Sequence, residues 1–393
     1  MSIVDKTYDI AVVGAGMIGA AMAIGLAKEG WRILLIEHTK PAHFDPMEKP
    51  DLRVSMISCT SVELLKQLGA WNSVLNMRYA PYRRIEVWEI ESSSLMFEAN
   101  SLDLPELGYM VENRILQLAL WQQFYQYDNL TLLYPVKLEA MKYHNKEWKI
   151  ILNNKQEFLA NLIIGADGVY SQVRSLSGIG SNGWEYGQAC LLVTVKTNKQ
   201  QQDITWQQFF PSGPRAFLPL FNHWACLVWY DKPSRIKQLQ NMSIDKLRQE
   251  IILGFPVRLG SLEVISRGSF QLIRHHANRY VEEGLALIGD AAHSINPLAG
   301  QGVNLGYRDV DSLLNILITA KIHLLPFYSR EILLFYQHNR MPDNMLMQVG
   351  MDIIYKLFSS NLSSIKLTRN LLLKLVQQLN VIKKKILKYA LGL

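Results

Sequence analysis

The 393 residues are 49% hydrophobic and 19% charged, which excludes a disordered chain and allows one large domain or two interleaved ones. A net charge of +7 and a pI near 9.1 favour anionic partners: nucleic acid, acidic lipid or a phosphorylated cofactor. Cys59, Cys190 and Cys226 form no Cys-x-x-Cys pair, so no zinc knuckle or dithiol centre is written here, and three scattered thiols suit a reducing compartment.

Residues 8–13, apolar but for Asp9, read as a strand of the kind buried in a parallel sheet. Gly14, Gly16 and Gly19 turn the chain into a helix expected to reach about residue 29, and residues 31–36 form the next strand, ending at Glu37. This is a complete βαβ opening. Residues 10–27 carry no charge and imitate a signal peptide or membrane span. Gly14, Gly16, Gly19 and Gly25, with Asp5 and Asp9 in front, favour a buried strand-turn-helix instead. No other stretch is long enough to span a bilayer, so any membrane contact would be peripheral.

Residues 40–53 read as loop, 62–68 as helix, 84–98 as a strand or hairpin, and 115–127 as helix. Residues 131–143, 148–152 and 158–164 are strand-like, the last ending at Gly165-Ala-Asp-Gly168. Residues 188–270 are rich in aromatics and turns, and read as an antiparallel sheet with one helix near 244–252. A strand from Leu285 then ends at Gly289-Asp290, and the chain is mostly helical after Gly302. No repeat or low-complexity tract is present.

Three strand-to-turn elements carry chemistry. Gly14 permits a tight turn, Gly16 lets backbone approach a pyrophosphate, and Gly19 allows close helix-strand packing. The helix that follows offers N–H groups to phosphates, and Glu37 can accept from a ribose diol. Asp167 and Gly168, followed by Ser171 and Arg174, form a second element, which read alone is equally a turn with Ser171 as a helix N-cap. Asp290 could hold a ribose or ribityl hydroxyl, and the loop after it could point N–H groups at a ring carbonyl. His293 reads as a local hydrogen-bonding histidine.

These motifs, in this order and spacing, resemble the FAD-dependent aromatic hydroxylases of the para-hydroxybenzoate hydroxylase type. The run Asn-Pro-Leu-Ala-Gly-Gln-Gly-Val-Asn-Leu-Gly at 296–306 resembles the ubiquinone-biosynthesis hydroxylases among them. The segments at 81–84, 108–113, 205–209, 213–221 and 387–393 resemble one member of that branch in particular. The resemblance covers essentially the whole chain.

The resemblance implies an α/β fold of the para-hydroxybenzoate hydroxylase kind. A Rossmann-type FAD domain (1–80, 108–187 and 271–330) would hold an inserted antiparallel-sheet substrate domain (81–107 and 188–270), followed by a helical C-terminal region (331–393). By motif, Gly14, Gly16, Gly19 and Glu37 match the ADP-binding fingerprint, and Arg53 an arginine near the flavin. Asp167 and Gly168 match a motif tied to FAD and NAD(P)H, and Asp290 a ribityl-binding aspartate. Pro297, Gly300, Gln301, Gly302, Val303 and Asn304 match the loop beside the isoalloxazine ring. Related enzymes often carry Arg-x-x-Leu where this chain reads Asn113-Arg-Ile-Leu116. Asn113 takes the slot of that arginine, which in the family contacts the FAD pyrophosphate, and Arg114 is free to point elsewhere.

The chemistry implied is ring hydroxylation of a polyprenyl benzoquinol, demethoxyubiquinol, by bound FAD with NAD(P)H and O₂ as co-substrates, through a flavin C4a-hydroperoxide in a dry pocket. It needs no metal and no side-chain nucleophile, and the sequence assigns no residue as the acid or base. Other readings are a different ring position in the same pathway, flavin-dependent reduction or halogenation, and a non-catalytic flavoprotein scaffold. The chain has no Trp-x-Trp-x-Ile-Pro halogenase motif and no nucleic-acid recognition motif. Other ubiquinone-biosynthesis proteins are the expected partners. A cytoplasmic location is expected, with peripheral contact at the inner face of the membrane. The aromatics Trp206, Phe209, Phe210, Phe217, Phe221, Trp224 and Trp229 mark the substrate side or plain sheet core. Leu372, Leu375, Val376, Leu379, Ile382 and Ile386 recur at helical spacing with lysines largely off that face. This fits a helix packed on its own domain, or a basic amphipathic surface for anionic lipid or a partner.

Overall fold

A computed structural model of the protein describes residues 7–200, 202–295 and 302–393, with Glu185 and Tyr186 described in backbone only. Pro297, Gly300 and Gln301 lie outside the described residues.

The opening apolar run is the strand Thr7–Val13, which pairs in parallel with Ile33–Ile36 and Glu157–Gly165. Leu130–Leu133 and Leu285–Leu287 extend the parallel set on its two sides. The register sets Val13 beside Gly165, and Gly165 beside Leu287. The three turns marked in the sequence therefore leave the carboxyl ends of three adjacent strands, where open α/β sheets bind ligands. Helices Met17–Lys28, Asn113–Gln123 and Gly302–Ile322 pack on this sheet and share its apolar core.

The strand expected over residues 131–143 is broken in two. Leu130–Leu133 joins the parallel sheet, whereas Leu138–His144 pairs antiparallel with Glu147–Leu152. Pro135 falls in the break and has no N–H for a ladder.

A second sheet is built on two long antiparallel strands, Ser181–Thr197 and Leu262–Ala277. Trp224–Asp231, Arg215–Pro219, Ile204–Gln208, Arg84–Trp88 and Leu95–Glu98 follow in order. The hairpin expected at 84–98 is its outer pair. The two long strands run on past residues 187 and 270, with a bulge in their pairing between Glu185 and Ala189. Two helices cover the sheet's outer face, Pro233–Asn241 and Ile244–Gly254, where one was expected. The extra helix starts with Pro233 in its first turn and buries only Ile236 and Leu239, too few apolar residues to announce it.

Strand alternation gives this sheet two different faces. Phe217, Leu227 and Trp229 pack outward against those two helices. Ala216, Cys226, Val228 and Tyr230 face inward toward Met56, Met110 and the last helix through Leu387 and Leu391. The C-terminal region is three helices, Arg330–Ser359, Ser363–Gln378 and Asn380–Leu391.

Candidate active site

The glycine turn has the geometry that a phosphate cradle needs. Gly14 has φ +98°, and a Cβ there would lie 2.5 Å from the Ala166 carbonyl oxygen. A Cβ on Gly19 would lie 1.9 Å from the Gly14 oxygen, so both positions are closed to larger residues. Gly16 is different, because a Cβ there would meet nothing within 4 Å and would project into open cavity. It is the N-cap of Met17–Lys28, whose first turn has no side-chain cap and no acidic residue. Those N–H groups and the positive end of the helix dipole are left for an anion.

Buried Glu37 holds this turn in place. Its Oε2 accepts from the Ala15 amide at 2.7 Å, and its Oε1 accepts from the amides of His38 and Thr39 at 2.7 and 2.9 Å. From the other side, the Ala15 carbonyl accepts from Gln117 Nε2 and Trp121 Nε1 at 2.9 and 2.8 Å.

The 40–53 loop is strapped by charges that sequence reading did not pair. Arg114 bonds Glu48 and Asp51 at 2.6 and 2.9 Å and the His43 carbonyl at 2.7 Å. Arg78 donates to the Glu48 carbonyl at 2.6 Å and to Glu112, whose carboxylate also takes the Asp51 amide. Arg114 thus points into the loop, and its neighbour Asn113 lines the cavity with Arg53, its Oδ1 accepting from Ser55 at 2.7 Å.

Asp167 is committed to its own helix. It accepts from Ser171 Oγ and from the amides of Gln172 and Val173 at 2.5, 2.7 and 3.1 Å. Burial pushes its carboxyl up, and these donors oppose the shift. Ser171 is the N-cap, as its alternative reading had it. Gly168, with φ +81° and open space at its Cβ position, lines the cavity. Arg174 ties this motif to the third by donating to the Val169 and Ala291 carbonyls, each at 2.8 Å.

Asp290 projects into the cavity. Among the described residues no donor reaches its carboxylate, which is exposed on the cavity lining. Burial pushes its pKa up, against the pull of His293 and Arg53. Beneath it, fully buried Asp309 accepts from the Gly289 amide at 3.0 Å, His293 Nε2 at 2.5 Å, Arg340 Nε at 2.9 Å and Asn344 Nδ2 at 3.2 Å. Burial alone would raise the Asp309 carboxyl, but His293 and Arg340 outweigh it and hold it at about 2. His293 is thus part of the support under the turn. One signal for this node was legible: Asp309 interrupts the row Leu305, Leu313, Leu317 at four-residue spacing, and an acid on a buried helix face needs a partner.

Gly302 and Val303 line the cavity, whereas Asn304 does not. Its Oδ1 accepts from the Ser58 amide and Ser61 Oγ at 2.9 and 2.8 Å, and its Nδ2 donates to the Met56 carbonyl at 2.8 Å. That side chain clamps the 54–61 strand-helix junction to the helix Gly302–Ile322.

All these turns open on one cavity of about 960 Å³. Its far wall is the inner face of the second sheet, including Leu192, Ala216, Leu218, Val228, Phe270 and Leu272. Of the aromatics named from sequence, Phe209 reaches it, while Trp206 stacks on Phe217 behind the sheet, where Trp229 also sits. Burial keeps the titratable groups of this wall protonated, with Cys226 pushed up to about 12 and Tyr230 well above its usual value. Neither can act as a base near neutral pH.

An adenine dinucleotide fits these residues: an open glycine at a bare helix N-terminus, and an unpartnered carboxylate on the adjacent turn of the same cavity. A family model described as an FAD binding domain matches residues 7–342. The chain belongs to this family of FAD-binding hydroxylases and is an FAD-dependent aromatic-ring monooxygenase. Within it, the chain is 51% identical over 389 residues to a 3-demethoxyubiquinol 3-hydroxylase of Escherichia coli (strain K12), covering 99% of this chain and 100% of that one. It is 32% identical to the ubiquinone hydroxylase UbiL of Rhodospirillum rubrum, covering 99% and 90% of the two chains. It is also 32% identical to the human mitochondrial ubiquinone biosynthesis monooxygenase COQ6, covering 98% and 93%. Among solved structures, a p-nitrophenol 4-monooxygenase from Pseudomonas putida superimposes with a TM-score of 0.79 at 15% identity, over 98% of this chain and 99% of that one. An aklavinone-11 hydroxylase, solved with FAD and aklavinone, gives 0.70 at 20% identity over 91% and 70%. These two likenesses establish the para-hydroxybenzoate hydroxylase-type fold.

Proposed function

We infer that this protein hydroxylates the ring of demethoxyubiquinol, a polyprenyl benzoquinol of ubiquinone biosynthesis. The observation that carries this reading is the single cavity joining three dinucleotide-type turns to an apolar sheet wall.

In this reading the Gly16 and Met17 amides receive the pyrophosphate, Glu37 the adenosine ribose, and Asp290 the ribityl chain. Arg53, Asn113, Gly302 and Val303 border the ring end. FAD, when bound, supplies electron transfer from NAD(P)H and activation of O₂. The chain's own contribution is position and dryness. The N-terminus of Gly302–Ile322 favours negative charge beside it. The aliphatic wall excludes water and orients the quinol, and Cys226 and Tyr230 offer no competing base. A cytoplasmic location and association with other enzymes of the pathway belong to the same reading.

The test is direct. Purified protein should carry flavin, consume NAD(P)H and O₂ only when a demethoxyquinol is present, and return a product one oxygen heavier. Bound flavin without substrate-dependent turnover would favour a scaffold role. Hydroxylation at a different carbon would reassign the ring position.

A further inference from the structure

Residues 353–393 contain eight Lys and Arg and no Asp or Glu, whereas the first 352 residues hold 33 basic and 34 acidic side chains. The net positive charge of the protein is therefore confined to its last three helices.

The middle one of these helices is packed the wrong way round for a helix that only covers its own domain, and the other two leave apolar side chains outside. In Ser363–Gln378 the buried side chains are Arg369 and Asn370. Arg369 bonds Glu89 at 2.7 Å and the Ser360 carbonyl at 2.8 Å. Opposite this polar latch stand Leu367, Leu371 and Leu375, four residues apart and 74%, 55% and 46% exposed. Asn380–Leu391 buries Leu387 and Leu391 and leaves Val381, Ile382 and Ile386 outside. On Arg330–Ser359, Leu346 and Ile353 are likewise exposed. Of the apolar row read from sequence, only Val376 is not exposed.

The same helices border an opening. Leu357, Leu372 and Ile386, one from each helix, line the cavity and are also exposed. Leu373, Val376 and Leu387 of the same helices line the same cavity as the substrate wall.

We propose that the outer face of these three helices docks on an anionic lipid bilayer, and that the opening between Leu357, Leu372 and Ile386 takes the prenyl chain from it. Exposed leucines enter the acyl boundary, and Lys366, Lys374, Lys384, Lys385 and Lys388 reach the headgroups on their long stems. A protein interface is the poorer fit, because lysine is depleted from interface cores and here it alternates with the leucines. No helix among the described residues is long and apolar enough to cross a membrane, so the contact is peripheral. The docking stands on charge and exposure alone; the prenyl entrance rests on the quinol reading above.

The experiment floats full-length, flavin-loaded protein with vesicles, in 0.1 M NaCl and without quinol. One set is pure phosphatidylcholine, and the other holds 30% phosphatidylglycerol. The protein should float with the anionic vesicles only and come off in 0.5 M NaCl. At roughly fivefold per lysine, a Lys384→Gln, Lys385→Gln, Lys388→Gln variant should partition on the order of 100-fold more weakly. Leu367→Ser, Leu371→Ser, Leu375→Ser should lose flotation while keeping the flavin. No flotation, equal flotation with neutral vesicles, or indifference to both variants overturns the proposal. So does a dimer in light scattering that the leucine variant dissociates, which would give the face to a second copy. Turnover of a short-tailed quinol by the unmodified protein, measured without vesicles, tests the hydroxylase reading separately.

Discussion

Asp309→Asn removes one charge from the centre of the support beneath the Gly289–Asp290 turn. Burial opposes ionisation of Asp309, yet His293 and Arg340 hold its pKa at about 2 against an ordinary 3.8. At about 1.36 kcal/mol per unit, the folded state favours the carboxylate by roughly 2 kcal/mol. The variant also strands Arg340 in the interior, and removing one partner of a buried pair costs ~3–5 kcal/mol. A loss of about 3 kcal/mol in urea unfolding is expected, from the lower part of that range because Asp343 and Asn344 still bond Arg340. The Gly289 amide loses a charged acceptor, so FAD binding, read by fluorescence titration, should weaken about 5- to 10-fold. The pH dependence is the sharper signature. A depressed acid pKa gives stability that is present above about 3.8 and lost as pH falls through about 2. The gap between the unmodified protein and the variant should therefore close over that window. A variant with the same urea midpoint, or a gap that persists to pH 2, would refute the reasoning.

Asp290→Ala should leave the fold intact, since no described donor bonds that carboxylate, and should raise the FAD Kd by roughly 10- to 100-fold, the worth of a hydrogen bond to a charged group. Gly19→Ala should fail to fold, because its Cβ would sit 1.9 Å from the Gly14 oxygen. Gly16→Ala should fold yet bind FAD poorly, because its methyl enters open cavity; equal flavin content in the folded Gly16 variant would discard the cradle. Burial depresses His275 and His276 from 6.5 to about 4, aided by Arg174 and His293 respectively, so both stay neutral near pH 7. Their stability is present above 6.5 and lost as pH falls through 4, about 2 kcal/mol apiece by pH 5, measurable as a falling urea midpoint. Glu89→Ala leaves Arg369 buried without its carboxylate and should release Ser363–Gln378, seen as faster amide exchange there at a cost of ~3–5 kcal/mol.

The parts of the site that depend on backbone shape were legible in the chain. Gly14 and Gly19 are imposed by approaches of 2.5 and 1.9 Å, and the strand-turn-helix pattern around them spans barely twenty residues. Gly168 and Gly289 are called for instead by positive φ, +81° and +58°. Hydrophobic period gave the parallel strands and most helices, and failed where the pattern was thin, as at Pro233–Asn241, or interrupted, as at Pro135.

Partners separated by long stretches of chain were not legible. The alternation of residues 215–231 was written in the sequence, but only packing against Pro233–Asn241 and Ile244–Gly254 decided that Trp229 turns outward and Val228 toward the cavity. Asn304 reaches Ser58 across 246 positions, Arg369 reaches Glu89 across 280, and Arg114 closes on the 43–51 loop. Local sequence fixes dihedral freedom and the period of burial, which are properties of neighbours. Which charge meets which, and which apolar face is left to water or lipid, depends on how separate elements stack. That decided Asp309 as the support, Asp290 as the open carboxylate, and the C-terminal leucines as a surface.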